Sequence, residues 1–170
     1  PTDQHTLDTL IRGDAKFPQL EHFDGLTDIT VSPYFEELDK NYPGSKFVLT
    51  VREEAGWLKS CRNHWTGRDA YEKGPESGAE AEEHRIHMEI RRFLRAAVYA
   101  SYEYQPERFA RAYKQHVENV QRYFAGRPND LLILNIAAGE GYEKLAPFLG
   151  VPVPPSPFPH KGKKLSERMA

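Results

Sequence analysis

An arginine and a serine eight residues apart are the side chains of this sequence best suited to hold an anion. Arg52 ends the apolar, β-branched segment KFVLTVR at 46–52, and Ser60 lies on the helix predicted to follow it. An arginine at the carboxyl end of a parallel strand points into the crevice where such sheets bind ligands. Its planar fork can hold a phosphate through two hydrogen bonds, and Ser60 could add a hydroxyl donor. Spacing alone leaves open that Arg52 is solvated or paired with Glu53 or Glu54.

Metal and Walker-type nucleotide sites have weaker support. His84 and His87 are three residues apart on a predicted helix, which permits metal ligation, but no third ligand is evident. A solvated helix face is the better interpretation of that pair. The stretch GEGYEK at 139–144 lacks the G-x-x-x-x-G-K-[ST] spacing, so we interpret it as a strand-to-helix turn. We therefore expect no metal cofactor.

Two short apolar runs, at 46–52 and 130–137, are the strongest strand candidates that could position these residues. Each follows a turn-like segment and is almost continuously apolar, as expected of strands covered on both faces of a parallel sheet. A weaker third candidate spans 25–32. Alternation of these strands with helices predicts an α/β fold with a parallel sheet. From apolar residues at helical spacing and from turn and capping residues, we predict helices at 33–41, 53–65, 79–101, 106–124 and 141–149.

Length and composition fit one globular domain. The chain has 170 residues, of which 39% are hydrophobic and 28% charged. A formal net charge of −2 gives no global positive field for nucleic acid, and no apolar run is long enough to span a bilayer. The single cysteine, Cys61, cannot form an internal disulfide, which favours a reducing, cytoplasmic compartment. We expect neither nucleic-acid nor membrane partners, and the sequence leaves homo-oligomer formation open.

Two segments are predicted to lie outside the regular elements. Residues 68–78 are polar and contain glycine and proline, which predicts a mobile loop that acts as a lid or connector. Residues 151–170 form a proline-rich and then basic tail. We treat the whole of 1–170 as one domain that contains both segments.

Two blocks of the sequence resemble a known enzyme family. TDITVSPYFEELDKNYPGSKFVLTVREEAGWLKSC, at 27–61, is similar to the middle of P-loop sulfotransferases, which use 3′-phosphoadenosine-5′-phosphosulfate (PAPS). RPNDLLILNIAAGEGYEKLAPFLGVPVPPSPFPH, at 127–160, is similar to the end of the same domain. The resemblance runs from about 8 to 160 and is weakest at 68–78. It implies a three-layer, P-loop NTPase-like fold around a central parallel sheet.

The resemblance also implies an activity and roles for particular residues. A sulfuryl group would move from PAPS to the hydroxyl or amine of a small-molecule or glycan-type acceptor. Arg52 and Ser60 resemble the pair that holds the 3′-phosphate of PAPS or of adenosine 3′,5′-bisphosphate. Asp28 resembles an acidic position suited to a general base, although an aspartate there often only caps a turn. Lys161 and Gly162 resemble a late basic-glycine segment that closes over the 3′-phosphate, and a solvated terminus is the alternative.

One element of the family pattern is not in the sequence. These domains begin with a strand and a loop resembling G-x-x-[KR]-[ST]-G-T-[ST], whose amides hold the phosphosulfate. We expect an incomplete sequence, because removal of a central strand would leave sheet edges unpaired. The alternative is a catalytically inactive, sulfotransferase-like binding or interaction protein. A P-loop kinase relative is a weaker third hypothesis, because no Walker-type lysine is visible.

Overall fold

The structure is a computed structural model that describes residues 3–159. The chain divides into two units. The first contains the chain up to Ser45 together with Glu53–Gly126, and the second contains Lys46–Arg52 together with the chain from Arg127 onward.

The second unit contains two parallel strands. Strand β1 is Phe47–Thr50 and strand β2 is Leu131–Leu134, in a register that places Phe47 opposite Leu131. A hydrogen bond from Val51 N to the carbonyl of Leu134, of 2.9 Å, extends the ladder by one residue. The predicted parallel pairing of the two apolar runs is therefore confirmed, with each strand shorter than its run. Helix α6, Tyr142–Leu149, follows in the same unit.

The sheet is exposed on part of its surface. Leu49 and Leu134 are buried, whereas Val48 and Ile133 are 39% and 40% exposed. Over residues 3–159 the sheet has two strands, and the chain is a mixed α/β structure that is mostly helical. The three-layer arrangement around a larger sheet stays a prediction.

The prediction of a strand at 25–32 is wrong. Asp28 has a positive φ of 92°, and its carbonyl accepts hydrogen bonds from Val31 N and Ser32 N. These local bonds fold the segment into turns that lead to a 3-10 helix at Ser32–Tyr34. Ile29 and Val31 still pack against a hydrophobic core. The apolar residues of this segment are therefore explained by side chains that a turn packs against the core, and not by pairing in a sheet.

Five α-helices make up most of the first unit. The four predicted at 33–41, 53–65, 79–101 and 106–124 are present with small shifts of their ends, while the first helix was not among the predictions. A 3-10 turn, Pro18–Glu21, lies between α1 and α2. The helices are α1 Gln4–Arg12, α2 Phe35–Asn41, α3 Glu54–Trp65, α4 Ala79–Tyr99 and α5 Pro106–Tyr123.

Side-chain caps determine where two of these helices begin. Asp3 accepts a 2.7 Å hydrogen bond from Thr6 N at the start of α1. Glu53 caps α3, and its carboxylate oxygens accept from Ala55 N at 2.8 Å and Gly56 N at 2.7 Å. Each cap pairs amides that have no partner within the helix.

Aromatic rings form the core between α3, α4 and α5. Phe109 is 1% exposed and stacks on Tyr99 with ring centroids 3.8 Å apart and planes 1° from parallel. Trp57, Trp65 and Tyr104 contact the same ring. A second cluster packs α1 against α4. Its buried members are Leu7, Leu10, Ala15, Phe17, Ile86, Ile90 and Leu94.

The segment 68–78 contains no helix or strand. The carbonyls of Asp69 and Ala70 accept hydrogen bonds from arginines of α4. Farther along, His84 donates to the carbonyl of Glu72, and a Cβ added at Gly74 would lie within 2.1 Å of the His84 ring. The helix α4 therefore holds part of this segment, whose mobility stays a prediction.

No helix within residues 3–159 combines the length and the apolar character that a bilayer crossing requires.

Phe109→Ala is expected to destabilise the first unit strongly. Removal of a buried ring typically lowers the free energy of unfolding by about 3–5 kcal/mol, and this ring contacts four other aromatic side chains. Urea denaturation measures the change. Phe23→Ala is the matched control, because Phe23 is 65% exposed and surface substitutions cost less than about 0.5 kcal/mol. Equal midpoints for the two variants would contradict this description of the core.

Candidate functional site

Arg52 and Ser60 are both exposed, and each lies where the sequence predicted it. Arg52 follows the end of β1 in the second unit, and Ser60 lies on α3 in the first unit. Their convergence on one anion stays a prediction, because they belong to different units. The first amides of α3 are already paired with the Glu53 carboxylate. An anion held by Ser60 would therefore meet its side-chain hydroxyl rather than these amides.

Asp28 is presented by a strained turn. Its φ of 92° is a backbone conformation that residues with a Cβ rarely adopt, and such strain typically costs about 1–3 kcal/mol. Oδ1 accepts a 2.6 Å hydrogen bond from Ile29 N, which fixes one side of the exposed carboxylate. Oδ2 has no hydrogen bond within residues 3–159. One carboxylate oxygen is thus held and the other faces solvent.

His64, on the last turn of α3, is a site residue that sequence reasoning missed. Its Nε2 accepts a hydrogen bond from Arg68 Nη1 at 3.0 Å, so the lone pair is on Nε2 and the ring is neutral. Partial burial and the neighbouring Arg68 charge lower the pKa of His64, with smaller contributions from Arg95 and Arg91. Asp28 acts in the opposite direction and raises it. Asp28 and His64 are therefore within electrostatic reach of each other.

Tyr99 adds a hydroxyl to the same neighbourhood. Burial is the main cause that raises the pKa of Tyr99, and the charges of Cys61 and Asp28 raise it further. The phenol therefore stays protonated across the physiological range. Asp28, on a turn, thus acts electrostatically on His64 of α3 and on Tyr99 of α4, and each of the three side chains can accept or donate a proton.

Arg95 of α4 is buried beneath this neighbourhood, at 2% exposure. Its Nη1 donates to the Tyr102 carbonyl at 2.8 Å, and its Nη2 donates to the Arg68 carbonyl at 3.0 Å. The guanidinium carbon lies 4.2 Å from the centre of the Trp65 ring, a cation–π contact. Nε has no hydrogen-bond partner within residues 3–159. Burial, followed by the nearby Arg91 charge, lowers the pKa of Arg95, and the group remains a cation.

The two histidines considered as metal ligands each have another partner. His84 donates to the Glu72 carbonyl, and His87 accepts a 2.9 Å hydrogen bond from Arg91 Nη2. In the part of the chain that the structure describes, no group of three histidine, cysteine or acidic side chains could hold a metal ion. Lys161 and Gly162 lie outside the described residues.

Comparison with protein families decides the class of this domain. Residues 9–166 match the profile of the sulfotransferase domain. The chain belongs to the sulfotransferase domain family. A search of curated proteins found no match. The family resemblance of the two sequence blocks is therefore confirmed.

The matched range includes every candidate residue of this sulfotransferase domain. Asp28, Arg52, Ser60, Lys161 and Gly162 all fall within it. The match establishes the family but identifies neither the acceptor nor the role of any single residue. Signals for the residues that were missed are weak in a single sequence. The clearest is Trp-Thr-Gly-Arg at 65–68, which ends α3 and places an arginine one turn after His64.

Asp28→Asn in this sulfotransferase domain is expected to lower the pKa of His64 further. The Asp28 carboxylate favours the protonated imidazole, and an amide would not. NMR titration of the His64 Cε1–H resonance measures the change. Asp24→Asn, in the same exposed segment, should leave the pKa unchanged. An unchanged pKa in Asp28→Asn would show that the two side chains are not neighbours.

Proposed function

We propose that this domain transfers a sulfuryl group from PAPS to a hydroxyl or amine acceptor. The observation that carries the proposal is the family match over residues 9–166, which contains Asp28, Arg52 and Ser60. The acceptor would be a small molecule or a glycan. A cytoplasmic location and the absence of nucleic-acid and membrane partners stay predictions from composition.

The chemistry of the available donors fits the nucleotide. A guanidinium and a hydroxyl are the donors that suit the oxygens of a phosphate monoester, and both Arg52 and Ser60 are exposed. They would hold the 3′-phosphate, with Lys161 and Gly162 proposed to close over it. When bound, PAPS supplies the activated sulfuryl group.

The proposed proton acceptor is Asp28. Its Oδ1 is fixed by Ile29 N, and Oδ2 faces solvent, so a substrate hydroxyl can donate to Oδ2. A carboxylate at this position would take the proton as the acceptor oxygen bonds to sulfur and the bond from sulfur to the 5′-phosphate oxygen breaks, which releases adenosine 3′,5′-bisphosphate. The Nε2 lone pair of His64 already accepts a hydrogen bond from Arg68, which favours Asp28 over His64 as the base. The strained turn that presents Asp28 supports a functional role for this residue.

Arg52→Ala is expected to weaken binding of adenosine 3′,5′-bisphosphate by roughly tenfold to a hundredfold, because it removes a charge-assisted hydrogen bond to the 3′-phosphate. Ser60→Ala should cost less, because a neutral hydroxyl contributes less than a guanidinium. Isothermal titration calorimetry measures both. Adenosine 5′-monophosphate serves as the matched ligand, and neither substitution should affect its binding.

Arg62→Ala is the control variant for this measurement. It removes an exposed positive charge from α3, and it should bind the bisphosphate as the parent does. If Arg52→Ala binds both nucleotides as the parent does, the assignment of the 3′-phosphate to Arg52 is wrong.

In protein that carries the phosphosulfate-binding loop, Asp28→Asn is expected to lower kcat for sulfuryl transfer by roughly 10²–10⁴-fold, the usual contribution of a general base. Transfer of labelled sulfate from PAPS to 4-hydroxybenzoate measures the rate, and bisphosphate affinity should stay the same. Asp24→Asn should retain full activity. Bisphosphate binding without transfer to any hydroxyl or amine acceptor would instead support the non-catalytic alternative.

A further inference from the structure

The basic cluster, defined as Arg68, Arg91, Arg92 and Arg95, carries more positive charge than nearby carboxylates neutralise. Arg91 pairs with Glu72 at 3.1 Å. The other three guanidiniums have no carboxylate within 4.0 Å in the described part of the chain. These three cations therefore lack a contacting counter-ion among the described residues.

Backbone carbonyls satisfy several donors of the cluster but cancel none of its charge. Arg95 donates to two carbonyls, Arg92 to the Ala70 carbonyl and Arg91 to the Asp69 carbonyl. The bonds to the carbonyls of 68–70 hold the segment after α3 against α4. A structural role of this kind explains these hydrogen bonds. This structural role does not explain why a guanidinium as buried as Arg95 has no carboxylate within 4.0 Å among residues 3–159, where Asp69 acts on it only from farther away, since buried charges are normally paired.

The histidines beside the cluster do not supply the missing negative charge. His64 accepts from Arg68 and His87 accepts from Arg91, at 3.0 and 2.9 Å, so both rings are neutral. The pKa of each ring is lowered first by burial and then by its arginine neighbour. The positive charge of the cluster therefore lowers the pKa values of two separate histidines.

Part of the cluster is accessible from solvent. Arg68 and His64 are exposed, whereas Arg95 is buried below them and bonded to the Arg68 carbonyl. An anion can therefore contact the Arg68 guanidinium directly and be attracted by the buried Arg95 charge. Among the described residues, the Arg68 side chain makes one hydrogen bond, to His64. Its remaining donors are available for a bidentate contact with an oxyanion.

We propose that the basic cluster is an oxyanion-binding site centred on Arg68, which takes the carboxylate, sulfate or phosphate group of the acceptor. The assignment to the acceptor rests on the sulfotransferase function proposed above. Arg68 bonds to His64, and the Asp28 charge raises the pKa of that same ring, which supports placing an acceptor anchored through Arg68 in the vicinity of the proposed base. The substrate class is then an acidic hydroxyl or amine compound rather than a neutral one.

The first test titrates the chain with sodium sulfate and, at equal ionic strength, with sodium chloride. An oxyanion at Arg68 offsets the repulsion that disfavours protonated His64, so sulfate should raise the pKa of His64 above its value in chloride. NMR of the imidazole Cε1–H resonances measures it, with His64→Gln used to assign the signal. His116, which packs on Phe35, is the internal control and should respond equally to both salts. Identical His64 titrations in the two salts would overturn the proposal.

Matched arginine variants locate the site. Arg68→Gln should weaken sulfate binding by roughly tenfold or more, the contribution expected of a charge-assisted hydrogen bond. Arg62→Gln removes an exposed arginine six residues earlier and should leave the sulfate dissociation constant unchanged. Circular dichroism checks that both variants are folded. Equal sulfate affinity in Arg68→Gln and the parent would overturn the assignment to Arg68.

A matched pair of phenols tests the link to the acceptor. 4-Hydroxybenzoate and 4-methylphenol differ at one ring position, where the first carries a carboxylate. Only the first should shift the His64 resonance and compete with sulfate. Sulfate binding without competition by 4-hydroxybenzoate would overturn the acceptor assignment. If Arg52→Ala leaves the bisphosphate affinity unchanged while sulfate still raises the pKa of His64, the proposed function is refuted and the oxyanion site is retained.

Discussion

The arrangement of the first unit depends on a buried guanidinium. Arg95 contacts the Trp65 ring at the end of α3, the Arg68 carbonyl just beyond it and the Tyr102 carbonyl after α4. Removal of a charge from water is costly, and these contacts replace part of its hydration. Trp65 also packs edge-on against Phe109. The position of the charge is therefore coupled to the packing of the aromatic core.

This coupling explains how a site can lie on segments with little regular structure. Arg68 follows the end of α3, where the chain leaves the helix, yet its carbonyl is fixed by Arg95 and its side chain bonds to His64. Asp28 lies on a turn whose neighbours Ile29 and Val31 pack against the core. Side chains on irregular backbone are thus positioned by contacts made with the rigid helices beneath them.

Structural features that depend on local sequence patterns were predicted correctly, whereas features that depend on tertiary contacts were missed. Four of the first unit's helices and the two parallel strands follow from periodicity and from apolar runs. The segment 25–32 has the alternation of a strand, but the positive φ at Asp28 and the local hydrogen bonds end it. Arg95 and Arg91, four residues apart, are typical of a solvated helix face in sequence. Arg95 is buried by its contacts with Trp65 and with the segment 68–78, and no local sequence pattern reveals these contacts.

The electrostatics of His64 connect stability with anion binding. Its folded-state pKa is lowered by burial and by Arg68, Arg95 and Arg91, against the opposing effect of Asp28. Its contribution to stability is therefore complete above the unfolded value of about 6.5 and is lost as pH falls from there towards the lower folded value. An oxyanion on Arg68 would reduce the repulsion, raise the folded-state pKa towards the unfolded value and so make this loss of stability smaller. The same surplus charge that makes the native state sensitive to acid thus gives it affinity for an acidic ligand.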